Sequence, residues 1–259
     1  MLDGKTIVVT GCSSGIGLET ARELTRRGAT VIGVDRNPND ELDRFIETDL
    51  TDPAAIDELV GRLPDSLDGL CNIAGLPPTA PPELVLKVNA LAPQRLTRRL
   101  VPKLAGGASI TNLGSLAGIG WADAVDQIKD FDKTDFDDVE RFCRQYDMSD
   151  GGRSYFFSKE VLLTWTMRNR WTWRDRGIRM NVVSPGPVDT PILPDFAATL
   201  GARAEEDMRV MDRLGTPQDI APVIAFLQSD ASVWLRGANL TVDGGMSSYI
   251  AMTSTGLGD

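Results

Sequence analysis

Thr6-Ile7-Val8-Val9-Thr10-Gly11-Cys12-Ser13-Ser14-Gly15-Ile16-Gly17 is a β-branched run that ends in a glycine-rich turn and opens into a helical pattern from Leu18 to Arg27. Strand, turn and helix in that order leave the N–H groups at the helix start free to attract an anion, and glycines let the backbone come close to it. A pyrophosphate suits such a place. A glycine-rich turn can also be nothing more than a tight connection, so the second strand decides. Val31-Ile32-Gly33-Val34-Asp35 ends in a carboxylate eighteen residues after Gly17, near the spacing at which an acid meets the adenosine ribose hydroxyls of a dinucleotide. Asp35 would repel a 2′-phosphate and so favours NAD over NADP, while Arg36, next in the chain, softens that repulsion.

Outward from this unit, Thr30 to Val34, Gly69 to Ala74, Ser109 to Leu113, Arg179 to Val183 and Asn239 to Val242 also read as strands. Amphipathic segments lie between them, such as Ile56, Leu59, Val60 and Leu63 at helical spacing. That alternation predicts an α/β fold of Rossmann type, a doubly wound parallel sheet with helices on both faces. No linker or repeat divides the 259 residues, so residues 1–259 read as a single dinucleotide-binding and catalytic domain.

Composition narrows the function. A net charge of −10 and a pI near 4.6 exclude the basic surface that nucleic acid or an anionic membrane calls for. No apolar run approaches a membrane span, and the charged start Met1-Leu2-Asp3-Gly4-Lys5 is unlike a signal peptide, so a cytoplasmic location is expected. Cys12, Cys71 and Cys143 share no metal-ligand spacing, and there is no histidine. Acid/base work near neutral pH must then come from other residue types with shifted pKa values. Tyr155 and Lys159, in Ser154-Tyr155-Phe156-Phe157-Ser158-Lys159, stand four apart and so share one helical face. A cation beside a phenol favours the phenolate, and the pair is a candidate acid/base engine. Trp165, Trp171 and Trp173, further along that segment, read as packing residues.

With these residues assembled, the chain resembles the short-chain dehydrogenase/reductase family over nearly its whole length. Thr10 to Gly17 resembles the family's cofactor loop, with Gly11, Ser13, Ser14, Gly15, Ile16 and Gly17 at the dinucleotide. Asp49-Leu50 resembles the adenine-contacting pair, and Asn72-Ile73-Ala74-Gly75 the family's strand end, which adds Asn72, Ala74 and Gly75. Pro185-Gly186-Pro187-Val188-Asp189-Thr190 is similar to the loop at the nicotinamide, with Pro185, Gly186, Val188 and Thr190 as contacts, and Val242-Asp243-Gly244-Gly245 to the last strand and turn. Asn89, Ser115, Tyr155 and Lys159 stand where the family has its catalytic residues.

The resemblance implies interconversion of an alcohol and a carbonyl with NAD. Tyr155 would exchange the proton, Ser115 would hold the substrate oxygen, and Lys159 would lower the phenol's pKa and hold the nicotinamide ribose. Asn89 would anchor a water linked to that lysine. Both Tyr155 and Lys159 would also contact the cofactor. The chain also resembles bacterial coniferyl-alcohol dehydrogenases and the 3α-hydroxysteroid dehydrogenase/carbonyl reductase branch, which implies a bulky aryl or polycyclic alcohol. Carbonyl reduction and steroid oxidation are the alternatives, and a non-catalytic cofactor-binding protein is the rival class. A homodimer or homotetramer is implied.

Ser115 and Tyr155 lie forty residues apart, against about a dozen in the family. The extra length, Ile119 to Asp150, holds nine Asp and one Glu against two Lys and two Arg. Phe136, Val139, Cys143 and Tyr146 recur there at helical intervals, so part of it reads as an amphipathic helix whose acids face water. Such an insertion should lie at the active-site mouth or over a subunit face. Pro191 to Asp212 reads either as a lid over an apolar pocket or as a surface helix.

Overall fold

A computed structural model describes residues 2–201 and 210–257. Seven strands form one parallel sheet: β1 Thr6–Thr10, β2 Thr30–Asp35, β3 Phe45–Glu47, β4 Leu67–Asn72, β5 Leu104–Leu113, β6 Arg179–Pro185 and β7 Asn239–Val242. Their order is β3-β2-β1-β4-β5-β6-β7. From β1 the chain winds outward through β2 and β3, then crosses back to β4 on the other side, which makes β1/β4 the switch point where such sheets bind ligands. Six strands fall where the alternation predicts them. β3 escaped that reading because it is three residues long and buries none of them, so it carries no periodic signal.

The helices are α1 Gly15–Arg26, α2 Pro53–Arg62, α3 Pro82–Leu86, α4 Ala92–Leu100, α5 Val125–Phe131, α6 Val139–Gln145, α7 Arg153–Arg168, α8 Leu193–Leu200, α9 Pro217–Gln228 and α10 Met246–Thr255. Successive strand residues point to opposite faces, so Val8, Ile32, Leu70 and Ile110 pack with Ile56, Leu59, Leu96, Leu162 and Trp165 from α2, α4 and α7. Ile7, Val9, Cys71 and Val183 pack on the other face with Ala21, Leu24, Ile220 and Ile224 from α1 and α9. The result is the doubly wound arrangement that the sequence pattern predicts. Trp165 belongs to the core and Trp173 packs against it. Trp171 instead is exposed, with the Arg170 guanidinium 4.3 Å from its ring centroid.

Residues 119–150 contain α5 and α6. Their acids are mostly exposed, but Phe131, Phe136, Val139, Phe142 and Met148 are buried in the main core. The aromatic face covers α7. Phe131 meets Phe157 of α7 edge-on at 5.5 Å, and Phe142 stacks on the same ring at 5.3 Å. Arg168 of α7 clasps Asp132 through two contacts of 2.6 and 2.7 Å, and Arg153 reaches both Gln127 and the buried Glu160. The helix expected around Phe136 starts at Val139, and Phe136 is buried in the turn before it. Among the described residues no helix is long and apolar enough to cross a membrane.

Because Phe131 fills space between α5, α6 and α7, Phe131→Ala should cost about 3–5 kcal/mol of unfolding free energy in chemical denaturation. A loss below roughly 1 kcal/mol would show the insertion to be peripheral to the core.

Candidate active site

At the carboxyl ends of the strands, a cavity of about 950 Å³ opens over the β1/β4 switch point. Its nucleotide end is shaped by missing side chains. Gly11 has φ 72, and a Cβ there would lie 2.7 Å from the Ala74 backbone. One on Gly17 would lie 1.9 Å from the Gly11 carbonyl oxygen. Only glycine permits this approach of loop to strand and loop to helix. Thr10 secures it, its hydroxyl accepting from the Ile73 and Ala74 N–H groups at 2.9 and 3.1 Å. α1 begins at Ser14 with no side-chain cap and no acid in its first turn, so its N–H groups and dipole are available to an anion. Asp35 stands at the end of β2 on the same cavity wall, its carboxylate fixed by the Ser13 and Asn37 N–H groups, each at 3.0 Å. A backbone cradle for a diphosphate beside a fixed carboxylate for a diol fits a dinucleotide.

The other end of the cavity holds Ser115, Tyr155 and Lys159. α7 carries the last two one turn apart, both almost wholly buried. Ser115 ends the loop after β5, where its hydroxyl accepts from the Ala117 N–H at 3.2 Å and also bonds Tyr155. Burial pushes the Tyr155 phenol up to about 12, with the Ser115 hydrogen bond acting in the opposite direction. Burial also brings the Lys159 ammonium down to about 8. Its Nζ donates to the Leu113 carbonyl at 2.8 Å and lies 5.5 Å from the Tyr155 ring centroid. In the protein by itself burial sets the direction for the phenol. Burial works against the charged form of both groups, yet at neutral pH an ammonium brought down to about 8 still holds its proton.

Of the residues singled out in the sequence, Gly11, Ser14, Gly15, Ile16, Gly17, Asp35, Arg36, Asp49, Leu50, Ala74, Gly75, Ser115, Tyr155, Lys159, Pro185, Gly186, Val188 and Thr190 line this one cavity. Three do not. Asn72 is buried between Thr97 and Asn112, donating to both at 3.1 and 2.8 Å, which joins β4 to α4 and β5. Ser13 turns outward and donates to the Asn37 carbonyl at 2.7 Å. Asn89 lies in a π turn, Lys87–Leu91, that joins α3 to α4. Its amide exchanges two hydrogen bonds with Leu76, at 2.7 and 3.1 Å, and donates to Ser158 at 3.3 Å. The Asn89 side chain is thus committed to holding the loop after β4 against α7. Met246 and Ile250 of α10 also line the cavity. Their spacing of four, just past Gly244-Gly245, was the only sequence signal for them.

A family model described as short chain dehydrogenase matches residues 5–124, and one described as enoyl-(acyl carrier protein) reductase matches residues 143–247. The chain is 42% identical to a coniferyl-alcohol dehydrogenase of Pseudomonas sp. (strain HR199 / DSM 7063), covering 95% of this chain and 98% of that one. The chain belongs to the short-chain dehydrogenase/reductase family. As a member it is an NAD(P)-dependent oxidoreductase that interconverts an alcohol and a carbonyl. A 3-alpha-hydroxysteroid dehydrogenase/carbonyl reductase of Comamonas testosteroni is 28% identical, covering 95% of this chain and 98% of the relative. Among solved structures, the 3-alpha-hydroxysteroid dehydrogenase of Pseudomonas sp. B-0831 complexed with NADH superposes with a TM-score of 0.82 at 31% identity, covering 95% and 98% of the two chains.

A buried lysine brought down to about 8 loses its proton within a range that the folded protein can be titrated through. In protein without added dinucleotide, the ¹³Cε resonance of Lys159 should titrate near pH 8. A Lys159 signal still cationic at pH 10 would contradict the burial seen here.

Proposed function

We propose that the chain is an NAD-preferring dehydrogenase that oxidises bulky aryl or polycyclic alcohols, with Tyr155 exchanging the alcohol proton. The observation that carries this reading is the shared lining of one end of the cavity by Ser115, Tyr155 and Lys159, with the glycine cradle and Asp35 at the other end. Support for the substrate class comes from the names of the relatives and from the apolar wall made by Leu76, Ile119, Phe156 and Ile192.

Gly11 to Gly17 would hold the pyrophosphate, Asp35 the adenosine ribose, and Pro185 to Thr190 the nicotinamide. Asp35 disfavours a 2′-phosphate by charge, which supports NAD over NADP despite Arg36. When bound, the dinucleotide supplies the carbon that takes up or releases the hydride and, in its oxidised form, a positive charge. Tyr155 Oη accepts the alcohol proton in oxidation and returns it in reduction. Ser115 Oγ bonds the substrate oxygen and steadies its developing charge. Lys159, anchored on Leu113, supplies the cation that makes a phenolate tolerable. The Asn89 side chain positions Leu76 and the Tyr155–Ser158 turn of α7, where Ser158 donates to the Tyr155 carbonyl at 2.7 Å.

α8 and the residues before it form a lid on this reading, since Pro191, Ile192, Leu193 and Phe196 all face the cavity. Of the stretch 191–212 expected to make it, residues 202–209 lie outside the described residues. The oligomer would be a homodimer or homotetramer that pairs away from the face of α7 covered by α5 and α6. A monomer in light scattering would contradict that.

Turnover of a panel of aryl, steroid and straight-chain alcohols should be at least tenfold more efficient with NAD than with NADP. Tyr155→Phe should lower kcat/KM by roughly 10²- to 10⁴-fold, with NADH affinity held within about threefold. Near-normal turnover by Tyr155→Phe would remove the proton-transfer role.

A further inference from the structure

The insertion ends at Asp150–Gly152, and this end meets α8. Gly152 takes φ 76 as it leads into α7. A Cβ on it would come within 2.7 Å of Thr199 Cγ2 on α8 and 3.0 Å of Pro78 Cβ in the loop after β4. Beside this joint, the Thr79 hydroxyl donates to Asp195 Oδ1 of α8 at 2.5 Å, and the Thr199 hydroxyl donates to the Asp195 carbonyl at 2.9 Å. α8 is thus held from two sides, by a glycine at the exit of the insertion and by a hydrogen bond from the β4 loop.

Held this way, α8 brings Phe196 edge-on to the Tyr155 ring, with centroids 4.8 Å apart and planes at 83°. Phe196 is half-buried, and its remaining surface belongs to the cavity wall. Proton transfer by Tyr155 has no need of this ring. A flat substrate ring would gain by packing on it, since aromatic pairs favour offset or edge contact beyond simple area burial. A straight-chain alcohol would gain much less.

We propose that the exit of the insertion is the seat of α8, and that seating α8 makes Phe196 the residue that selects alcohols carrying a flat ring over straight-chain ones. This rests on the alcohol-dehydrogenase reading for the role of Phe196, but the seat itself is a matter of contact alone. On this account the acidic insertion, besides covering α7, sets the position of the substrate wall. The steric condition at the joint is strict: no residue larger than glycine fits at position 152 without moving Thr199 or Pro78.

The test uses the full chain with NAD, with cinnamyl alcohol and 1-hexanol as ring and straight-chain probes. Phe196→Ala should lower kcat/KM for cinnamyl alcohol, mainly through KM, so that the ratio of kcat/KM for cinnamyl alcohol over 1-hexanol falls about tenfold or more. Thr79→Val should raise KM for cinnamyl alcohol roughly three- to tenfold with NADH affinity unchanged, whereas Thr79→Ser, which keeps the hydroxyl, should match the parent. In parallel, hydrogen exchange over residues 193–200 should speed up several-fold in Thr79→Val and in Gly152→Ala, with α9 unaffected. Equal losses on both alcohols, or no change on either, would overturn the role of Phe196. Unchanged exchange in α8 would overturn the seat. If the parent oxidises no alcohol with either dinucleotide, the functional reading fails while the exchange arm still decides the seat.

Discussion

Desolvation of two neighbouring side chains governs this site. α7 carries Tyr155 and Lys159 into the interior one turn apart, and the same burial pushes the phenol up to about 12 and the ammonium down to about 8. In water the pair would be an ordinary phenol beside an ordinary cation. Inside the protein burial works against the charged form of each, so any charge that enters the cavity acts on them with little screening. Their closeness is a property of helix geometry and their burial a property of packing. The rings of α5 and α6 lie on one side of α7, and the strand ends and α8 lie over the other.

Backbone approach at the switch point is the second constraint, and it was the most legible. Gly11 and Gly17 are required by contacts of their missing Cβ atoms with backbone, and such a requirement shows in the sequence as glycine at fixed spacing. Six of the seven strands and the cavity position of Asp35, Ser115, Tyr155 and Lys159 could be read for a similar reason, since each depends on local period or on motif order. β3 could not, being too short to have a period. For Asn72 and Asn89 the sequence could not show the side-chain partners, because an amide can serve equally well as a ligand contact or as a clamp between elements. Only the partners reveal which: Thr97 and Asn112 for one, Leu76 and Ser158 for the other.

The insertion illustrates the limit of composition as a guide. Its charge suggests a solvated loop, and its acids are indeed mostly outside. Yet Phe131, Phe142 and Phe157 make one aromatic cluster with contacts of 5.0 to 5.5 Å, and this cluster, not the charge, fixes where the segment lies. One end then reaches the cavity, which Ile119 and Gly120 line, and just past the other end Gly152 abuts α8. A segment that separates Ser115 from Tyr155 in sequence is thereby packed against the helix that carries Tyr155.

The central claim is that a buried phenol becomes an anion only when further positive charge joins Lys159. The chain has three tyrosines, so ¹³Cζ labelling resolves Tyr155 directly, and its signal can be followed from pH 6 to pH 10 with and without NAD⁺. The account predicts a phenol throughout in the protein by itself, ionisation within that range once NAD⁺ is added, and loss of this response in Lys159→Met. A Tyr155 that stays protonated to pH 10 with saturating NAD⁺ would contradict it.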